Sequence, residues 1–107
     1  MIHPNLSEII TELRDYLENL YTKQLVRLIL YGSQARQDAH FYSDIDMLIV
    51  LKEPKNFIDE IEKISYFISA LSLKYNVLIS CNFVSENQYQ NEQGGFFRNI
   101  RHEGIAL

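Results

Sequence analysis

One cysteine, few cations and no long apolar run mark this sequence, and each shortage removes a class of protein. Cys81 is alone in the chain, so no internal disulfide can form, and a reducing, cytoplasmic setting is the expectation. Ten Lys and Arg stand against fourteen Asp and Glu, a formal net charge of −4. A protein that grips a long stretch of nucleic-acid backbone needs a basic face, so extended nucleic-acid binding is not expected. No run approaches the ~20 apolar residues of a membrane span, so no membrane role is expected either. Residues Met1 to Asn5 show no basic region followed by an apolar stretch, and no signal peptide is expected there. His3, His40 and His102 lack metal-ligand spacing, which argues against zinc.

What is present is an ordinary globular composition, 47% hydrophobic and 22% charged over 107 residues. No repeat, linker or low-complexity segment divides the chain, and 1–107 reads as one domain. A domain of this size buries only about 60–70% of the surface its unfolded chain exposes, so help from a partner subunit is compatible with it.

Hydrophobic periodicity supplies the elements. Ile9, Ile10, Leu13, Leu17 and Leu20 recur at helical spacing and predict an amphipathic helix from Leu6 to Tyr21, opened by an Asn5–Glu8 capping box. Leu25 to Tyr31 is short, branched and nearly all apolar, as a buried strand is, and Gly32 stops it. Ser33 to Asp38 suits a short helix and Ala39 to Ser43 a loop. A second strand runs from Asp44 to Leu51, with Pro54 closing it. Phe57, Ile58, Ile61, Ile64, Ile68 and Leu71 trace a helix over Asn56 to Leu73. Val77 to Val84 predicts a third strand, and Ser85 with Gln88 a capping box. After Gly94-Gly95, the residues Phe96, Phe97 and Ile100 mark a last short helix that Gly104 ends at the C′ position, and Ile105 to Leu107 adds an edge strand. The class is α/β or α+β, one small sheet covered by helices.

The chemistry concentrates in Tyr31-Gly32-Ser33-Gln34-Ala35-Arg36 and Ser43-Asp44-Ile45-Asp46. Alternation along a strand aims Asp44 and Asp46 to one face and Ile45 to the other. Two neighbouring carboxylates repel unless a cation joins them. Mg²⁺ takes one or two carboxylates together with phosphate oxygens and water, which suits a Mg²⁺–triphosphate. Gly32 lets backbone approach a phosphate, free N–H groups in the turn favour an anion, and the Ser33 hydroxyl is a donor. The link of about ten residues between the two segments is too short for a parallel crossover, which needs about a dozen or more. Adjacent antiparallel strands bring both segments to one end of the sheet. Arg36 is placed either to hold a phosphate or to pair with Asp38 or Asp44. The plainer reading of the same residues is a turn cap at Asp44, a solvated Asp46, a positive φ at Gly32 and an N-cap at Ser33.

The pattern G-S-x-A-R followed by S-D-I-D resembles the signature of the DNA polymerase β-like nucleotidyltransferases, and more narrowly the minimal nucleotidyltransferases that act as antitoxins beside HEPN-domain toxins. The resemblance implies a nucleotidyltransferase fold with a small mixed sheet. It implies that Gly32 and Ser33 hold the triphosphate of ATP, with Arg36 beside them, and that Asp44 and Asp46 are catalytic metal ligands for Mg²⁺, two ions in all. The implied reaction moves AMP to a hydroxyl, a tyrosine of a HEPN toxin, in the manner of a type VII-like antitoxin. A third carboxylate belongs on a later strand, and this sequence departs from the pattern there: its third strand offers Asn76, Ser80 and Asn82, with Asn76 or Ser80 near the expected place and Asp38 a conceivable substitute. Gln37 stands where glycine is frequent. The departure raises an alternative, a catalytically degenerate antitoxin that neutralises its toxin by direct binding. Transfer to a small-molecule hydroxyl ranks third, because the chain has no room for a large second substrate domain.

The remaining polar and aromatic residues carry blander readings. Lys52 and Lys74 read as surface charges, His40 as surface polar and Cys81 as packed on the apolar face of its strand. Tyr31 and Tyr42 flank the motif and suit packing or base stacking. Phe96-Phe97 reads as core.

Overall fold

In a computed structural model, which describes residues 3–36, 44–53 and 56–107, the apolar run Leu25–Tyr31 is strand β1. The 16-residue helix Leu6–Tyr21 (α1) precedes it through one 3₁₀ turn, Thr22–Gln24. Helix α2 (Ser33–Arg36) and strand β2 (Ile45–Leu51) follow, then the 19-residue helix α3 (Phe57–Tyr75). Strand β3 (Ile79–Ser85), helices α4 (Glu86–Asn91) and α5 (Gly95–Glu103) and strand β4 (Ile105–Ala106) complete the chain. The sheet is mixed, in the order β3-β2-β1-β4. β1 lies antiparallel to both β2 and β4, whereas β2 and β3 are parallel.

Alternation along the strands builds two cores. Ile45, Met47, Ile49 and Leu51 point to one face, where they pack with Ile9, Leu13 and Leu17 of α1 and Ile64 and Leu71 of α3. Leu48 and Val50 point to the other, with Ile29, Val84 and Ile100 of α5. The central strand is therefore apolar on both sides, and Ile45 to Val50 is fully buried at every position but Asp46.

Local signals were met unevenly. The Ser85–Gln88 capping box forms, each side chain accepting the other's backbone N–H at 3.1 and 3.0 Å. The Asn5–Glu8 box does not. Asn5 has φ −107° and ψ 20° and no side-chain cap, because its own N–H is turned to donate to His3 Nδ1 at 3.0 Å. Helix α3 outruns its expected end to Tyr75, and Asn76 stops it in the left-handed conformation at φ 51°. Strand β3 consequently starts two residues later than expected, and Asn76 is a helix cap rather than a strand residue. Gly104 does end α5, but at φ −66°; a Cβ there would sit 2.5 Å from the Ile100 carbonyl oxygen and 2.7 Å from Ile29 Cγ2, so close approach selects glycine. Asp38, His40 and Tyr42, the expected loop Ala39 to Ser43, Gln37 and Pro54 lie outside the described residues.

Candidate functional site

The end of β1 and the start of β2 meet, as the antiparallel pairing requires, with Tyr31 opposite Asp46. Beyond Tyr31 the chain turns at Gly32, whose φ is +75°, a left-handed conformation that favours glycine. Its carbonyl accepts from the Arg36 N–H at 3.1 Å and closes the single turn of α2. A Cβ on Gly32 would lie 2.5 Å from Asp46 Oδ2. Backbone and carboxylate thus touch only because residue 32 has no side chain.

Asp46 belongs to the face of β2 that carries Leu48 and Val50, and Asp44, two residues earlier, shares its direction by alternation. Ile45 between them is fully buried in the opposite core. Burial raises the Asp46 carboxyl pKa above its usual range, the Asp44 charge adds to the rise, and the Arg36 guanidinium opposes it. These are the electrostatics of two carboxylates that a cation would relieve. The pair fits a divalent cation that takes its remaining ligands from phosphate and water.

The position expected to hold a further carboxylate is occupied by neutral groups. Ser80 pairs with Asp46 across the parallel β2–β3 ladder, and Asn82 pairs with Leu48. Asn82 Nδ2 donates to the Tyr31 hydroxyl at 2.9 Å, bridging over β2. Burial raises the Tyr31 pKa, and Asp46 adds to the rise. Among the described residues no group of three His, Cys, Asp or Glu side chains is arranged to hold a metal ion. Cys81, one residue on, faces the other core, and burial pushes its thiol up to about 12, so it stays a thiol at neutral pH.

Two features of the site were hidden in the sequence. Arg36 Nη1 donates to Glu103 Oε2 of α5 at 3.4 Å, a pairing 67 residues distant in sequence that adds to the partners expected for Arg36. Helix α5 also walls a cleft of about 250 Å³ beside Gly32, between Tyr31 and Arg36 on one side and Phe96, Asn99 and Glu103 on the other. Phe96 is 48% exposed, against the expectation that Phe96-Phe97 is core; only Phe97 packs against the buried cluster. Gln34 is 2% exposed and accepts from the His3 N–H at 2.9 Å, so it is a buried brace for α2.

Known proteins resemble this chain in sequence and in fold. A family model described as a nucleotidyltransferase domain matches residues 10–103. A Methanocaldococcus jannaschii protein named as a candidate protein adenylyltransferase is 42% identical over 73 residues, 68% of this chain and 73% of the relative. A crystal structure of a candidate nucleotidyltransferase from Sulfolobus solfataricus superposes with a TM-score of 0.66 at 21% identity, over 92% of this chain and 76% of that one. A toxin–antitoxin crystal structure with AMP-PNP superposes with a TM-score of 0.63 at 15% identity, over 94% of this chain and 71% of that one. With the family match spanning both the Gly32 turn and the Asp44–Asp46 pair, the chain belongs to the nucleotidyltransferase family.

Proposed function

We propose that this protein transfers AMP from Mg²⁺–ATP to a protein hydroxyl, a tyrosine on a HEPN-type toxin, and so silences that toxin. The observation that carries the reading is the meeting of Asp46 with the Gly32 turn, on the face that Asp44 shares. In this reading Asp44 and Asp46 hold the ion, Gly32 and Ser33 take the triphosphate, and Arg36 adds positive charge beside them. The ion supplies charge neutralisation at the phosphates when bound. The acceptor oxygen attacks the α-phosphorus, a new O–P bond forms, and the bond to the bridging oxygen breaks to release pyrophosphate. The hydroxyl proton leaves to water, since Ser80 and Asn82 offer no base. The adenylyltransferase naming of the relative supports AMP transfer to protein, and the shared fold of the toxin–antitoxin complex supports the partner.

The test is labelled ATP, Mg²⁺ and a HEPN-type protein offered as acceptor. Label on a partner tyrosine is the expected result, falling to background in Asp44→Ala/Asp46→Ala. An unlabelled partner, or label undiminished in the double variant, defeats the proposal. Ser80 and Asn82 in place of a carboxylate favour one alternative, neutralisation by binding alone. Toxin neutralisation that survives Asp46→Asn without ATP selects it.

A further inference from the structure

We infer that the cleft between β1 and α5 is the seat of the nucleotide's base, with Phe96 as its stacking platform and Asn99 as the group that reads its edge. The inference rests on the nucleotide-binding reading above and adds to it a region outside the motif that carries that reading. The cleft is lined by Gly32, which packs against the Asp46 carboxylate, so it adjoins the acidic pair through that residue. At about 250 Å³ it is smaller than the roughly 300–1,000 Å³ of sites that enclose a whole ligand, as a subsite for one part of a nucleotide would be.

Its walls have the chemistry of a base. Phe96 lies perpendicular to the Tyr31 ring at 5.8 Å and 85°, and to the Phe97 ring at 5.3 Å and 89°. These two perpendicular contacts hold Phe96 while about half of the residue stays exposed. A large aromatic side chain held this way and left open is poorly used as packing and well used as a stacking surface. Three residues on, Asn99 also lines the cleft and is exposed, and its side chain makes no hydrogen bond to a described residue. Its side-chain amide carries both a donor and an acceptor, the pair that matches the N6 and N7 edge of adenine. The helical spacing of 96 and 99 sets both on one side of α5. The Arg36–Glu103 ion pair forms the far rim.

Calorimetry with two probes separates the base from the phosphates: Mg²⁺–ATP, and Mg²⁺–tripolyphosphate, which has no base. Phe96→Ala is expected to weaken Mg²⁺–ATP about tenfold and to leave Mg²⁺–tripolyphosphate unchanged. Phe96→Leu, which retains an apolar contact with Tyr31 but no ring, should show the same split with an unaltered melting temperature. Asn99→Ala should narrow the preference for ATP over CTP. Equal affinities of wild type and Phe96→Ala for Mg²⁺–ATP would overturn the base seat while leaving the phosphate site intact. So would a Phe96→Ala protein that binds ATP normally but labels its acceptor poorly, which would assign the cleft to the acceptor ring. A wild type that binds neither probe would overturn this inference together with the functional reading beneath it.

Discussion

The two faces of the sheet differ in how far their helices reach. On one face lie α1 and α3, of 16 and 19 residues. At about 1.5 Å per residue these run roughly 24 and 28 Å, longer than a seven-residue strand of about 23 Å. On the other lie α4 and α5, of six and nine residues, the longer only about 14 Å. Two long helices close the first face. Among the described residues the second is closed toward Ile29, Leu48, Val50 and Ile100, and its other end holds the half-buried Asp44, Asp46 and Ser80 and the cleft beside Gly32. In the proposed function, stability and chemistry fall on opposite sides of one strand, β2, with its odd-numbered residues in the first core and its even-numbered residues on the other face.

The largest stability effect is expected on the closed face. Leu13 is fully buried among α1, α3 and the sheet. Leu13→Ala removes buried methyl groups and leaves a cavity, at a cost of about 2–5 kcal/mol in denaturant unfolding. AMP transfer per folded molecule should be unchanged, since no atom of Leu13 reaches the other face. A large loss of transfer in protein shown to be folded would break the division.

A smaller stability cost and a larger functional one are expected on the open face. Gly32→Ala forces a Cβ into a left-handed conformation and against Asp46 Oδ2. The backbone strain is worth about 1–3 kcal/mol, and the carboxylate must move. Mg²⁺–ATP binding and transfer should fall at least tenfold, out of proportion to the change in melting temperature. Full binding in Gly32→Ala would show that the contact between turn and carboxylate is incidental.

This division also explains what could be read from the sequence. The closed face follows from periodicity: β1 spans Leu25–Tyr31 as its apolar run predicts, and β2 and α1 agree with their patterns to within a residue. The antiparallel meeting of Gly32 with Asp46 followed from a link too short for a crossover. Contacts between elements far apart in the chain left no such trace. Nothing in Gly95–Glu103 announces that Phe96, Asn99 and Glu103 would wall a cleft against β1, because that depends on where β4 places the end of α5. The same holds for Gln34, which looked like a variable position in the motif and is instead a buried brace for His3. Asn5 shows the converse, a local signal overruled by a neighbour when His3 took its N–H.

The smallest effect tests the electrostatic side of the comparison, through two carboxylates shifted in opposite directions. Glu12, on the outer rim of the closed face, accepts from the Tyr75 hydroxyl and from Lys74 Nζ, and these partners hold its pKa below the usual value. A lowered carboxyl favours folding above the unfolded pKa of about 4.3 and loses that contribution as pH falls through its folded value. Glu12→Gln should therefore flatten the acid side of the stability curve slightly. Asp46 has the opposite sign, raised first by burial and then by Asp44. Its folded form holds the proton more tightly than the unfolded chain does, so stability is lost as pH rises from about 3.9 through the raised value and stays level above it. Asp46→Asn should then equal or slightly exceed wild type in melting temperature at pH 7 without metal, and the advantage should vanish toward pH 3.5. Adding Mg²⁺–ATP should reverse the order at pH 7, since a ligand that binds only the folded wild type stabilises it alone. Tyr75 and Lys74 outweigh burial at Glu12, whereas at Asp46 burial and Asp44 are only partly offset by the Arg36 charge; a melting curve for Asp46→Asn below that of wild type in metal-free buffer would show otherwise.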